Sequence, residues 1–185
     1  GPYTMVSALD YNYDYNKVFL LGVDTNFATY KIVFDVRNPE DGSYYSSGDS
    51  SSDTNLNSNY GLYIESFVYD SVSKNYIVIV RKIDAGINYY HFVFLNDLMI
   101  RSSLPFFTTT ASVNFSYAKV SKNRKLYISY REGTICYLKA FSLDYDFNNS
   151  LNPLTFLRDI YLPYTTECNS NLELETIEGI EGKTL

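Results

Sequence analysis

The chain of 185 residues has no tryptophan, one histidine and two cysteines. The single histidine, His91, lies inside an apolar, strand-like run. With one imidazole in that position, a His-based catalytic triad, a His-rich metal centre and an HExxH motif are all excluded. We therefore interpret His91 as a structural residue of a strand.

Basic clusters, glycine-rich loops and long apolar segments are also missing. The 15 Lys and Arg residues are scattered among 21 Asp and Glu, which gives a net charge of −6. Nucleic acid is therefore not expected as a partner, because phosphate binding needs a basic patch. No apolar run has the length of a membrane span, so no membrane insertion is expected. The nine glycines are dispersed and match no phosphate-binding spacing, and no cofactor is indicated.

Aromatic residues are abundant instead, with 20 Tyr and 12 Phe. The apolar runs consist mainly of Val, Ile, Tyr, Phe and Thr, whose side chains fit a pleated surface and lose χ1 freedom in a helix. No stretch places apolar residues at helical spacing over three turns. The sequence therefore predicts an all-β fold.

An internal repeat runs through these strands. A tyrosine is followed four residues later by a phenylalanine three times, with spacings of 60 and 47 residues between the tyrosines: Tyr30/Phe34, Tyr90/Phe94 and Tyr137/Phe141. Such a period is typical of propellers and solenoids. We expect the three pairs to occupy equivalent, buried positions on one strand face.

Each repeat contains further β-prone runs, joined by polar turns, as in a four-stranded antiparallel meander. The first strands are expected near 6–11, 64–69 and 113–118. Seven others are expected near 17–23, 28–36, 75–82, 88–95, 125–130, 135–143 and 154–162.

The segments "VYDSVSKNYIVIV" with "NYYHFVFL", and "YAKVSKNRKLYISY" with "CYLKAFSL", resemble the repeats of YWTD-like and NHL-like β-propellers. The resemblance implies a partial propeller: one domain, 1–185, with units at about 5–59, 60–109 and 110–166 and the start of a fourth at 167–185. An antiparallel β-sandwich is the alternative.

A propeller needs at least four blades to close. The resemblance therefore also implies that the chain is part of a longer polypeptide, or that a second copy or another protein completes the array. In that case the faces of the first and last units would form the interface.

Residues 39–59, rich in Ser, Gly, Asp and Asn, interrupt the repeat. We expect a flexible insertion in place of a fourth strand, because these residues bury little apolar area. A calcium or ligand loop that uses Asp41, Asp49 and Asp53 is the alternative.

The stretch from Asp10 to Asn16 alternates Asp or Asn with tyrosine. As a strand it would place Tyr11, Tyr13 and Tyr15 on one face, available for packing or for binding a partner or carbohydrate. The other face makes Asp10, Asn12 and Asp14 candidates for a calcium site. That site is weakly indicated, since Tyr15 occupies the position of the invariant glycine of an EF-hand loop.

Cys136 and Cys168 can form one disulfide, and Asn114 and Asn148 each begin a glycosylation sequon. Together these features favour an extracellular or cell-surface setting over the cytoplasm.

Two function classes remain. The first is a non-enzymatic protein- or ligand-binding module whose surface includes Tyr11, Tyr13, Tyr15, Tyr44 and Tyr45. The second is a carbohydrate-active protein, a lectin or a glycosidase, with tyrosine platforms and paired carboxylates. The candidate acids lie in turns or at strand ends: Asp35, Asp70, Asp84, Asp97, Glu132 and Asp144.

Overall fold

The computed structural model of the chain describes residues 5–25, 29–96, 100–111, 113–144 and 154–162. These residues form three four-stranded antiparallel sheets and contain no α-helix. The all-β prediction and the prediction of four-stranded meanders are therefore confirmed. The chain divides into two compact units, Gly1–Thr110 and Ala111–Leu185.

The first unit holds two of the sheets, each with its strands in chain order. Sheet 1 consists of β1 (Met5–Asn12), β2 (Lys17–Asp24), β3 (Lys31–Arg37) and β4 (Tyr44–Asp49). Sheet 2 consists of β5 (Gly61–Asp70), β6 (Asn75–Asp84), β7 (Ile87–Leu95) and β8 (Ile100–Thr109). A short 3₁₀ turn, Thr54–Leu56, lies between them in the chain.

The second unit holds sheet 3, which is also a meander in chain order. It consists of β9 (Val113–Val120), β10 (Lys125–Glu132), β11 (Ile135–Ser142) and β12 (Thr155–Leu162). The Phe115, Tyr130 and Tyr137 side chains stack in one row across three of its strands, with adjacent ring centroids 5.5 and 5.0 Å apart. Such stacked rings stabilise neighbouring strands.

The three sheets share one backbone feature, a left-handed residue in the first hairpin. In the first hairpin of each, the residue immediately before the second strand has a positive φ: Asn16, Lys74 and Arg124. A left-handed residue closes the turn at a small cost in strain. These residues give a common reference point for comparing positions between sheets.

Sheets 1 and 2 pack face to face around one apolar core. Alternate residues of β2 and β3, such as Leu21 and Phe34, contact alternate residues of β6 and β7, such as Val78 and Leu95. Gly48 of β4 lies beneath the Phe34 ring, and a Cβ there would come within 2.6 Å of a ring carbon. The period of two places these apolar residues on one face of each strand.

The expectation for residues 39–59 is wrong in one respect. The segment contains β4 and the 3₁₀ turn, and Leu56 is fully buried in the core between sheets 1 and 2. Asp53 caps the turn by accepting a hydrogen bond from the Asn55 backbone N–H at 3.0 Å. The segment thus supplies the fourth strand of sheet 1.

The three Tyr/Phe pairs do not occupy equivalent positions. Phe34, Phe94 and Phe141 pair with Leu21, Ile77 and Leu126, which lie five, three and two residues after the left-handed residues of their hairpins. The three phenylalanines are buried as expected, but of the three tyrosines in these pairs only Tyr90 is fully buried. The feature that repeats is therefore the four-stranded meander with its first turn. The Tyr-x-x-x-Phe spacing does not mark equivalent positions.

None of the described residues forms a helix with the length and hydropathy that crossing a bilayer requires.

Candidate functional site: the tyrosine face of sheet 1

On the face of sheet 1 that points away from sheet 2, two neighbouring rows of side chains cross the four strands at the end nearest the first turn. In the antiparallel register, Tyr11, Val18, Arg37 and Tyr44 form one row. Leu9, Leu20, Asp35 and Ser47 form the neighbouring row. We call these eight residues the tyrosine face.

Large apolar side chains on this face are open to solvent. Leu9 is 64% exposed, Tyr11 37% and Tyr44 60%. Tyr13, in the turn after β1, and Tyr45, at a bulge beside Tyr44, are also exposed and lie at the same end of the sheet. The Tyr11 and Tyr13 rings meet edge to face with centroids 4.8 Å apart. Exposed apolar side chains grouped on one face make this face a candidate interaction surface.

Two cations rest on the tyrosine rings. The Arg37 guanidinium lies 5.8 Å from the centroid of Tyr44, and Lys17 Nζ lies 4.8 Å from that of Tyr45. The ring quadrupole attracts a cation at these distances. The Tyr44 hydroxyl also lies 3.4 Å from Ser47 Oγ on the same face.

Asp35 is the buried polar residue at the centre of the face. Its Oδ2 accepts hydrogen bonds from Arg37 Nε at 2.9 Å and from Arg37 Nη2 at 2.6 Å. Its Oδ1 is buried and has no hydrogen-bond partner in the structure. A buried carboxylate oxygen without a donor is costly to the fold.

The corresponding face of sheet 2 is where sheet 1 docks. Counted from Asn16 and Lys74, Tyr11 corresponds to Tyr69, and Val18 to Tyr76. By the same count, Leu20, Arg37 and Asp35 correspond to Val78, Leu95 and Val93. All five of these sheet 2 residues contribute to the core shared with sheet 1. The tyrosine face is thus the counterpart of an established sheet-to-sheet contact.

The first hairpin of sheet 1 ties the two sheets together. Tyr76 Oη donates to Asp10 Oδ2 at 2.6 Å and accepts from Asn12 Nδ2 at 3.0 Å. Asn12 Oδ1 also accepts from the backbone N–H groups of Asp14 and Tyr15. The three candidate calcium ligands therefore serve a turn and a sheet contact.

Asp14 completes this network. Its Oδ2 accepts from Lys74 Nζ and from Tyr69 Oη, both at 2.9 Å. These two donors hold the pKa of Asp14 below its ordinary value. Burial raises the pKa values of Tyr69 and Tyr76, and their hydrogen bonds to Asp14 and Asp10 raise them further, so both remain neutral donors. Among the described residues, no group of three or more His, Cys, Asp or Glu side chains is arranged to hold a metal ion.

The placement of Tyr15 on the same open face as Tyr11 is wrong. The strand ends at Asn12 and the chain turns over residues 13–16, so the alternation of faces stops there. The Tyr15 ring instead packs against Phe19 and Tyr69, and its hydroxyl donates to the Lys74 carbonyl oxygen at 2.7 Å. Tyr15 belongs to the contact between sheets 1 and 2.

The acids of the serine-rich segment act as turn caps. Asp41 Oδ1 accepts from the Ser43 N–H, which lowers the pKa of Asp41. Burial acts to raise the pKa of Asp49, but the Ser51 hydrogen bonds and the charge of Lys31 lower it overall. Asp53 bonds to the N–H groups of Asn55 and Ser102. Asp41 and Asp49 thus cap turns of their own segment, and Asp53 also joins the segment to β8 of sheet 2.

His91 lies on the face of sheet 2 that points toward sheet 1. Its Nδ1 is 3.0 Å from the Ser103 carbonyl oxygen, and because a carbonyl can only accept, Nδ1 carries the proton. Its Nε2 is buried with no hydrogen-bond partner. Burial lowers the pKa of His91, with Lys82 acting in the same direction and Asp53 opposing it.

The remaining candidate acids do not converge. Asp70 is buried and accepts from the Val72 N–H and Ser73 Oγ of its own turn, and Asp144 bonds to Ser142. Asp84 and Glu132 end β6 and β10. Asp97 lies outside the described residues.

The predicted modification sites are only partly described. Cys136 is buried in β11, and Asn114 lies in β9 opposite Arg131. Cys168 and Asn148 lie outside the described residues. The disulfide and the glycosylation sites therefore stay predictions.

No family model, curated protein or solved structure matches this chain. Its function is therefore inferred from its own geometry. The sequence indicated Tyr11, Tyr13, Tyr44 and Tyr45, but it missed Leu9, Leu20 and the Asp35–Arg37 pair. A signal was present, since Leu9 and Tyr11 are apolar residues two apart in a β-prone run.

Proposed function

We propose that this chain is a non-enzymatic binding module, built as part of a β-propeller, that holds a protein partner on the tyrosine face. The observation that carries the proposal is the set of exposed side chains, Leu9, Tyr11 and Tyr44, on a sheet face that corresponds to the buried face of sheet 2.

The chemistry of the face fits a protein partner. Tyrosine gives a large contact area at a small cost in side-chain entropy, and Tyr and Arg are enriched where protein interfaces are strongest. Arg37 and Lys17 lie against two of the rings, so the rings are oriented before a partner arrives. Preorganisation of this kind lowers the entropy lost on binding.

The scaffold also supports the proposal. Consecutive four-stranded meanders, the first two packed face to face, are the arrangement of propeller blades. The predicted disulfide and sequons favour an extracellular or cell-surface setting for such a module.

Carbohydrate binding is the rival function. The Tyr13 ring is 86% exposed and sits edge to face with Tyr11, so a sugar could stack on it. A glycan array with the wild-type chain and a Tyr13→Ser variant tests this class. Glycan binding that is lost in the variant, without any protein adduct in the experiment below, would contradict the proposal.

The direct test places a photo-crosslinking amino acid, p-benzoylphenylalanine, at Tyr44. The matched control carries it at Tyr60, which is similarly exposed but lies outside the tyrosine face. After irradiation of the purified chain, and of the chain mixed with extract from its natural source, we expect protein adducts at position 44 at several times the yield at position 60. Equal yields at the two positions would overturn the proposal.

A further inference from the structure

We infer that the first hairpin of sheet 3 is a binding site for a sulfated polysaccharide. The hairpin joins β9 to β10 through residues 121–124, and four cations lie in or beside this turn: Lys119, Lys122, Arg124 and Lys125. We call these four residues the basic hairpin. The site lies in the second unit and does not include the tyrosine face, so it adds a ligand to the one in the proposed function.

The charge of the chain is unevenly distributed along the sequence. Residues 98–131 contain six Lys and Arg and no Asp or Glu. The other nine cations stand against all 21 acids, which gives the rest of the chain a net charge of −12. Four of the six cations belong to the basic hairpin. The expectation that the chain has no basic cluster is therefore wrong at this hairpin.

The lysines of the basic hairpin differ from the other described lysines in their surroundings. The five outside the hairpin each contact an acid, a carbonyl oxygen or an aromatic ring: Lys17, Lys31, Lys74, Lys82 and Lys139. None of the three in the hairpin forms an ion pair with a described acid: Lys119, Lys122 and Lys125.

One acid lies near the hairpin in the strand register. Asp144 follows two residues after Ser142, the β11 partner of Lys125, and its carboxylate accepts from the Ser142 hydroxyl at 3.0 Å. Like charges that lie close together repel one another. An anion from outside the chain would therefore relieve the repulsion among the three ammonium groups.

Strand register places two of these lysines side by side. Lys119 pairs with Tyr127, and Lys125 lies two residues before Tyr127 on β10, so both lysines are on the same face of sheet 3. Diagonal neighbours of this kind have Cα atoms about 7–8 Å apart. Lys122 is exposed in the turn that follows β9. The hairpin therefore presents several positive charges along its tip, where an extended polyanion can contact more than one of them.

Hydrogen bonds fix the backbone of this turn. The Ser121 N–H donates to the Lys125 carbonyl oxygen at 2.8 Å, and the Lys125 N–H donates to Ser121 Oγ at 3.2 Å. Arg124 Nη2 donates to the Leu143 carbonyl oxygen, and the Leu143 N–H donates to the Arg124 carbonyl oxygen, both at 2.9 Å. The backbone positions of the cations are thus set before a ligand arrives, which lowers the entropy lost on binding.

The chemistry of the basic hairpin favours a sulfated polysaccharide over other polyanions. Lysine is depleted at protein–protein interfaces, whose strongest contacts come from aromatic residues and arginine. Residues 118–126 contain no aromatic side chain on which a nucleic acid base could stack. The sulfate groups of a polysaccharide bind ammonium groups through charge alone. The extracellular setting that the predicted disulfide and sequons favour is also where such polysaccharides occur.

The negative charge of the rest of the chain does not prevent this binding. At physiological ionic strength the Debye length is about 8 Å, so acids that lie farther from the ligand are largely screened. The charge that the ligand meets is therefore that of the hairpin. For the same reason, the affinity should decrease as the salt concentration rises.

Biolayer interferometry of the purified chain on immobilised heparin, at about 0.15 M salt, tests the inference. We expect binding that Lys122→Glu weakens about tenfold, because the change removes one attraction and adds one repulsion. The matched control is Arg158→Glu, an equal change in charge at an exposed position on β12 of the same sheet, and it should stay within about twofold of the wild type. Fully desulfated heparin should not bind. Thermal melts of the three proteins establish that each is folded.

Three results would overturn the inference: no binding to heparin at this salt concentration, equal binding by the two variants, or tighter binding to double-stranded DNA or polyglutamate than to heparin. Tyr13→Ser should leave heparin binding unchanged, and a loss of binding in that variant would place the glycan on the tyrosine side of sheet 1 instead. Protein adducts at position 44 do not involve the basic hairpin, so the proposed function is tested separately.

Discussion

Corresponding faces of sheet 1 and sheet 2 have the same row pattern but different surroundings. In sheet 2 the central row positions are Val93 and Leu95, and sheet 1 covers them. In sheet 1 the same positions are Asp35 and Arg37, and the rows around them are open.

The comparison shows that the same strand pairing provides an equivalent face in both sheets. The side chains on that face determine whether another sheet of the chain packs against it. Two apolar residues close the face on sheet 2. An ion pair framed by Tyr11 and Tyr44 leaves the face of sheet 1 folded and charge-balanced in water. Asp35 is buried whereas Arg37 keeps partial contact with solvent, and their attraction strengthens when a partner excludes that water.

The largest expected effect separates the two faces of sheet 1. Phe34→Ala removes a ring that is buried against sheet 2, and we expect the free energy of unfolding to fall by about 3–5 kcal/mol. Tyr44→Ala, on the open face, should change it by less than about 0.5 kcal/mol. Urea unfolding of both variants measures the contrast, and similar losses would contradict the assignment of the two faces.

A smaller change in the free energy of unfolding tests the hydrogen bonds in the contact between sheets 1 and 2. Tyr76→Phe removes the hydroxyl that joins Asp10 and the buried Asn12. We expect a loss of about 2 kcal/mol, because a buried amide then lacks a partner.

The matched control for that change is Tyr11→Phe. The Tyr11 hydroxyl bonds to Asn16 at the surface, where water can replace it. Its loss should cost less than about 0.5 kcal/mol in the same urea titration. If the two variants are equally stable, the Tyr76 network does not hold the sheets together.

Much of this architecture could be read from the sequence. The β-prone runs predicted β2, β6, β7 and β12 to within a few residues, because branched and aromatic side chains favour strands wherever they pack. The polar turns expected between the strands are also present, and Asn16, Lys74 and Arg124 lie in the first turn of each sheet, where the backbone is left-handed.

The errors have physical causes. β4 was missed because its serines, Gly48 and Asp49 have low β-propensity, and its pairing with β3 comes from tertiary contact. The Tyr-x-x-x-Phe spacing was misleading because strand register is set by hairpin turns and bulges, which shift a side chain to the other face for each residue gained. The site could be predicted only in part. Exposed tyrosines can be predicted from the sequence, but the pairing of Asp35 with Arg37 on one sheet face is known only once the strand register is known.

The smallest expected effect concerns His91, whose counterpart in sheet 1 is Val33. Burial lowers the pKa of His91 in the folded chain below its ordinary value of 6.5. The unfolded chain therefore binds the proton first as the pH falls. The resulting stability is present in full above pH 6.5 and is lost as the pH decreases toward the folded pKa.

We therefore expect the free energy of unfolding of the wild-type chain to fall between pH 7.5 and 5.5, a window well above the ordinary pKa of 3.8 for aspartate. His91→Gln should reduce that fall, because the glutamine cannot take up a proton while its amide can still donate to the Ser103 carbonyl. His91→Val copies the residue of sheet 1 and removes the titration outright. Urea unfolding at the two pH values distinguishes the cases, and a wild-type chain whose pH dependence equals that of both variants would show that His91 is not held neutral by its burial between the sheets.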